Sequence, residues 1–139
     1  MRTLTPEEKT FFADEGYLMI PDVFEPADIE PLRRGLTDVI HRGAQQLLAE
    51  GKISQLYEED SFERRLTRIY AECEEIVGAI TGGGGGGHSG GALFELITHP
   101  KLLSVVESFV GPEIVGSSVY RIRPKIPGMA KGIVPWHQD

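Results

Sequence analysis

The sequence predicts an α+β fold, with helices first and β structure gathered toward the end of the chain. Three observations carry this. Apolar residues recur at helical spacing from Ile29 to Leu47 and again from Phe62 to Val77. A further helix is marked at both ends, by Pro100 in its first turn and by Gly111-Pro112 after its last. Beyond Gly111 the residues become β-branched and alternate.

The elements follow in order. In "LTPEEKTFFADEG" Thr5 suits an N-cap, Pro6 the first helical position and Glu8 the return arm of a capping box, and Gly16 marks the end. Phe11 and Phe12 are its apolar anchors. "YLMIP" reads as a short buried strand stopped by Pro21. The next helix carries Ile29, Leu32, Leu36, Val39, Ile40 and Leu47 on one face, tolerates Pro31 near its front and ends at Gly51. Another begins near Ser61 with a stripe of Phe62, Leu66, Ile69, Cys73, Ile76 and Val77, which makes Cys73 a small core residue. The run "TGGGGGGHSGG" predicts a flexible loop over residues 82–91, since consecutive glycines have nothing to bury and lose the most entropy on ordering. It lacks the Lys-Ser/Thr that a phosphate-cradling loop needs after its glycines, so that chemistry is rejected, and His88 is a loop histidine. In "THPKLLSVVESFVGP" His99 has a structural task near a helix start, while Leu102, Leu103, Val106 and Phe109 face a core. A strand is expected over residues 113–124, with Arg121 and Arg123 on one side and Tyr120 and Ile122 on the other. "PGMAKG" is a turn, and "IVPWHQD" reads as the start of a second strand.

Composition narrows the classes of function. The 139 residues suffice for one domain, or part of one, and 40% hydrophobic content supports a core. With 21 acidic against 14 basic residues the net charge is -7, which disfavours a nucleic-acid partner, because phosphate contacts need clustered Lys and Arg. The one local basic excess is "YRIRPKIPGMAK". A single cysteine forbids an internal disulfide and points to a reducing, cytoplasmic setting. No apolar run approaches the roughly 20 residues that span a bilayer, so no membrane role is expected. Oligomeric state is left open.

The chemistry lies in "VPWHQD". On a strand, residues two apart project from one face, so His137 and Asp139 would aim at one point with Gln138 turned away. A neutral imidazole and a carboxylate on adjacent positions suit a divalent first-row metal, as in the two-His-one-carboxylate set of non-haem Fe(II) oxygenases. Taken alone, the triplet fits a strand-end His and Asp facing solvent equally well.

The wider context adds a resemblance. "LTPEEKTFFADEGYLMIPDVFEPADIEPLRRGL", then "THPKLLSVVESFVGPEIVGSSVYRIRPKIPG", then "PWHQD" resemble the phytanoyl-CoA dioxygenase family in motif and in order. The likeness covers most of the chain; the glycine run and the acidic helix before it are its least diagnostic parts. It implies an enzyme that uses Fe(II) and 2-oxoglutarate to hydroxylate a small organic or acyl substrate, with ascorbate a further candidate cofactor. It implies a double-stranded β-helix, or jelly roll, with helices packed outside and at the N-terminus. His137 and Asp139 match the first two iron ligands, and the carboxylate of Asp139 favours hydroxylation over halogenation. Tyr120 and Lys125 become candidates for the 2-oxoglutarate pocket, with packing and a loop charge as their plain alternatives. Trp136 is expected to pack beside the metal-bearing strand.

In that family a second histidine and a 2-oxoglutarate-gripping arginine follow well after the Asp, and a jelly roll needs about eight strands. Neither residue appears here, which makes residues 1–139 the expected N-terminal part of a single oxygenase domain, inactive alone. His41, His88 and His99 sit on a helix face, in a loop and at a helix start, and are not expected to substitute. Two competing readings are a non-catalytic binding or regulatory domain of the same fold, and an unrelated helical interaction module in which "HQD" is accidental.

Overall fold

The computed structural model describes residues 2–82, 90–117, 122–129 and 135. Six helices are present: α1 Pro6–Glu15, α2 Pro26–Ala49, α3 Phe62–Glu72, α4 Ile76–Thr81, α5 Gly91–Ile97 and α6 Pro100–Val110. The chain divides into two compact units, Met1–Leu32 with Gly90–Ser118, and Arg33–Ser89 with Val119–Asp139.

The expected α+β class is overturned, because among the described residues there is no strand, and the start of a jelly roll is absent with it. In "YLMIP" exposure alternates, Tyr17 and Met19 outward and Leu18 and Ile20 half-buried, but the segment forms no strand. The described parts of the expected strand at 113–124 likewise form no strand, with Val115 almost fully exposed. Alternation fixes which way side chains face, whereas a strand also needs a partner's N–H and C=O groups. Residues 118–121 and, apart from Pro135, the expected second strand at 133–139 lie outside the described residues.

The first unit is stitched from both of its chain segments. Thr5 and Glu8 form the full capping box, and Gly16 ends α1 at a φ of 77°. Leu4 is buried and its N–H donates to Ser108 Oγ at 3.3 Å, while Ser104 Oγ donates to the Arg2 carbonyl at 3.0 Å. These bonds tie the residues before α1 onto α6. Phe12 and Phe109 pack with ring centroids 4.5 Å apart. The helix α2 begins at Pro26, earlier than its apolar stripe suggests, because the Asp28 carboxylate accepts the Glu25 N–H at 2.8 Å and so caps the first turn.

The second unit holds the larger core. Val39, Ile40, Ala44 and Leu47 of α2 meet Ile69 of α3, Ile76 and Ile80 of α4, and Ile53 of the intervening loop. The stripe expected as one helix from Ser61 to Val77 is two helices. Cys73 caps α3 in an extended conformation, at φ -147° and ψ 112°, and packs half-buried against the core. The break sets Glu74 and Glu75 just before the positive end of α4, which the helix dipole favours. Gly82 closes α4 at a φ of 77°, and Gly90 precedes α5, a short helix that the sequence reading missed. Residues 83–89 of the expected glycine-rich loop lie outside the described residues.

The loop before α3 is held by one carboxylate. Glu72 accepts from the Ser54 N–H at 2.7 Å, from Ser54 Oγ at 3.0 Å and from the Tyr57 hydroxyl. Tyr57 sits at a φ of 52°, a conformation uncommon for a bulky residue, and this clamp helps to hold it there. The Tyr57 hydroxyl foremost, then the Ser54 donors, keep the Glu72 pKa below its ordinary 4.5. The stabilisation is therefore fully present above pH 4.5 and is lost as pH falls through the depressed folded value. The melting-temperature gap between wild type and Glu72→Gln is expected to be widest near neutral pH and to close under acid; a gap constant with pH would refute the clamp.

Candidate metal centre

His137, Asp139, Tyr120 and Trp136 lie outside the described residues, so the geometry of the predicted metal pair is known only from sequence. Lys125 is described. In residues 122–126, which form neither helix nor strand, Ile122 packs against the core, Ile126 is buried, and Arg123 and Lys125 are exposed between them. The alternation seen in the sequence thus sets two cations on one side. Ile126 accepts the Met129 N–H at 3.1 Å, and Gly128 has a φ of 82°, so Ile126-Pro127-Gly128-Met129 closes the segment as the expected turn.

The described histidines are committed elsewhere. Nδ1 of His41 faces Arg65 Nη2 at 3.1 Å and Glu58 Oε1 at 3.3 Å. The arginine is buried and also donates from Nε to the Leu56 carbonyl at 3.0 Å. A guanidinium can only donate and a carboxylate can only accept, so Arg65 and Glu58 compete for the same His41 nitrogen. At His99, Nδ1 accepts the Lys101 N–H at 3.2 Å and thereby caps α6, as expected for a helix-start histidine. That leaves its proton on Nε2, 3.5 Å from Asp28 Oδ1. The Asp28 carboxylate also takes Lys101 Nζ at 2.6 Å. The Lys101 ammonium first, then the Glu25 N–H, hold the Asp28 pKa below the usual aspartate value. Both ring nitrogens of His99 are occupied and an ammonium sits on the shared carboxylate, so this group is a structural clasp and cannot take up a cation.

Among the described residues no group of three or more His, Cys, Asp or Glu side chains could hold a metal ion. Sequence reasoning missed the Asp28–Lys101 clasp, the Glu72 clamp and buried Arg65. The only advance signal was the Glu25–Asp28 spacing at the front of a helix, since the other partners are 9 to 73 residues apart in the chain. No helix among the described residues is long and apolar enough to cross a membrane. Comparison with known protein families, curated proteins and solved structures gave no match.

Proposed function

We propose that this chain serves a non-haem Fe(II)- and 2-oxoglutarate-dependent dioxygenase activity that hydroxylates a small organic or acyl substrate in the cytoplasm. The observation that carries the reading is the His137-Gln138-Asp139 triplet, placed after a series of segments that resemble the phytanoyl-CoA dioxygenase family in the same order. The helical segments of that series coincide with α1, α2 and α6.

The donor set fits ferrous iron, because an imidazole and a carboxylate are both ordinary ligands for it. Bound iron and 2-oxoglutarate would supply the power to oxidise an unactivated C–H bond. His137 binds only as the neutral ring, so affinity falls as pH drops through the histidine range. Asp139 fills the position that a halide would need. Tyr120 and Lys125 offer a hydroxyl and an ammonium to the carboxylates of 2-oxoglutarate. A facial set needs one more ligand. Among the described residues, His41 contacts Arg65 and His99 caps α6, so neither is offered as that ligand. The 139-residue chain is expected to bind iron weakly and to form no succinate on its own.

Anaerobic Fe(II) titration in the presence of 2-oxoglutarate tests the reading. His137→Ala and Asp139→Ala should each weaken binding by on the order of tenfold or more. His41→Ala and His99→Ala should leave iron affinity unchanged. Wild-type affinity in His137→Ala would favour the reading of an unrelated helical interaction module in which "HQD" is accidental. That alternative draws its support from the wholly helical character of the described elements.

A further inference from the structure

We propose that the corner formed by the C-terminal turns of α1 and α6 docks a cationic amphipathic helix of a partner protein. The proposal is independent of the metal chemistry and rests on the first unit alone.

The corner is apolar and open. The Phe12–Phe109 contact brings together the ends of the two helices. Phe11 packs edge-on against Tyr17 with centroids 5.5 Å apart. All four rings stay well exposed, from 37% at Phe109 to 56% at Tyr17, and Val110 beside them is 62% exposed. Isolated exposed apolar residues are ordinary, whereas rings in mutual contact that remain open form a patch.

Its rim is negative in an unfavourable place. Asp14 and Glu15 lie in the last turn of α1 and Glu107 in the last turn of α6, and all three are exposed. Neither helix has a basic residue in its last turn. The carbonyl end of a helix is already negative, so these carboxylates are repelled where they stand. Glu7 and Glu8 are the contrast, being in the first turn of α1 where the dipole favours them. Two helix ends and three carboxylates thus share the turns that carry the exposed rings.

Charge selects the occupant. This unit holds eleven acidic and three basic residues, and two of the bases, Arg2 and Lys101, already pair with Glu8 and Asp28. A second copy would set one acidic rim against another. An anionic membrane surface or a nucleic acid would be repelled in the same way. A helix with Lys or Arg on its flanks answers both needs: its apolar face covers the rings, and its cations meet the carboxylates, the helix ends and the ring faces.

A labelled leucine–lysine amphipathic peptide of about 18 residues, roughly five helical turns, probes the corner by fluorescence anisotropy, with a leucine–glutamate peptide for comparison. The lysine peptide should bind in a salt-sensitive way, and the glutamate peptide should not. The variant Asp14→Asn/Glu15→Gln/Glu107→Gln should bind on the order of tenfold more weakly. It should also melt higher when free, because the repulsion at both helix ends is gone. The charge-matched variant Asp22→Asn/Glu25→Gln/Glu95→Gln, whose sites lie in the connection between α1 and α2 and in α5, should bind like wild type. Phe11→Ser should weaken binding without changing the helical circular dichroism. Equal loss in both triple variants, equal binding of the two peptides, no binding, or a dimer in sedimentation would each overturn the proposal.

Discussion

Ile69→Ala is expected to reduce the unfolding free energy by about 2–5 kcal/mol. Ile69 has no exposed surface and lies in the core shared by α2, α3 and α4. Truncation removes its burial from water and leaves a cavity that three packed helices cannot easily collapse. Domains of this size are stable by only about 5–15 kcal/mol, so the loss is a large share of the whole. Urea unfolding should show a lower midpoint with an unchanged slope. Ile29→Ala, at a position 43% exposed, serves as the control and should cost much less. Equal losses at the two positions would mean that the second unit's core is not where the structure puts it.

Two glycines in helices should respond to alanine in opposite directions. Gly43 lies in α2, and a Cβ there would come within 2.8 Å of Ala79 Cβ and 3.0 Å of Ile76 Cδ1. The Ala79 carbon is bonded to the backbone of α4 and cannot rotate aside. Gly43→Ala gains helix propensity of up to about 1 kcal/mol, but overpacking of this kind costs about 1–3 kcal/mol, and the net effect is expected to be destabilising. Gly78 lies in α4 with nothing within 4 Å of its added Cβ. Gly78→Ala should stabilise by about 0.5–1 kcal/mol. Thermal melts of both variants decide the point, and stabilisation in both would show that α2 and α4 do not approach closely at Gly43.

The elements read correctly in the sequence are those whose cause is local. The α1 capping box lies within four residues, and the His99-Pro100 start of α6 and its Gly111 stop are equally short-range. The face of α2 that is buried in the second unit, Val39, Ile40, Ala44 and Leu47, follows helical spacing and needs only a neighbour to pack against. The missed features depend on distant partners. The break at Cys73 leaves the apolar spacing intact, and the Glu72 clamp that precedes it reaches back to Ser54 and Tyr57. The short helix α5 begins at a glycine, which propensity argues against. Of the candidate site, the sequence offered only the residue types of the proposed His137 and Asp139 ligands, together with the exposed side shared by Arg123 and Lys125.

By itself the sequence determined the caps, the helical periodicity, the negative charge of the first unit and the chemical character of the His-Gln-Asp triplet. Each of these depends on residue type and on spacing of a few positions. Only the tertiary structure decided that the segments expected as strands form none among the described residues, that Asp28 and Arg65 occupy the two described histidines, and that the acidic ends of α1 and α6 meet at Phe12 and Phe109. Those outcomes turn on which groups far apart in the chain come within bonding distance, and periodicity along the chain records the direction of a side chain but not the partner it meets.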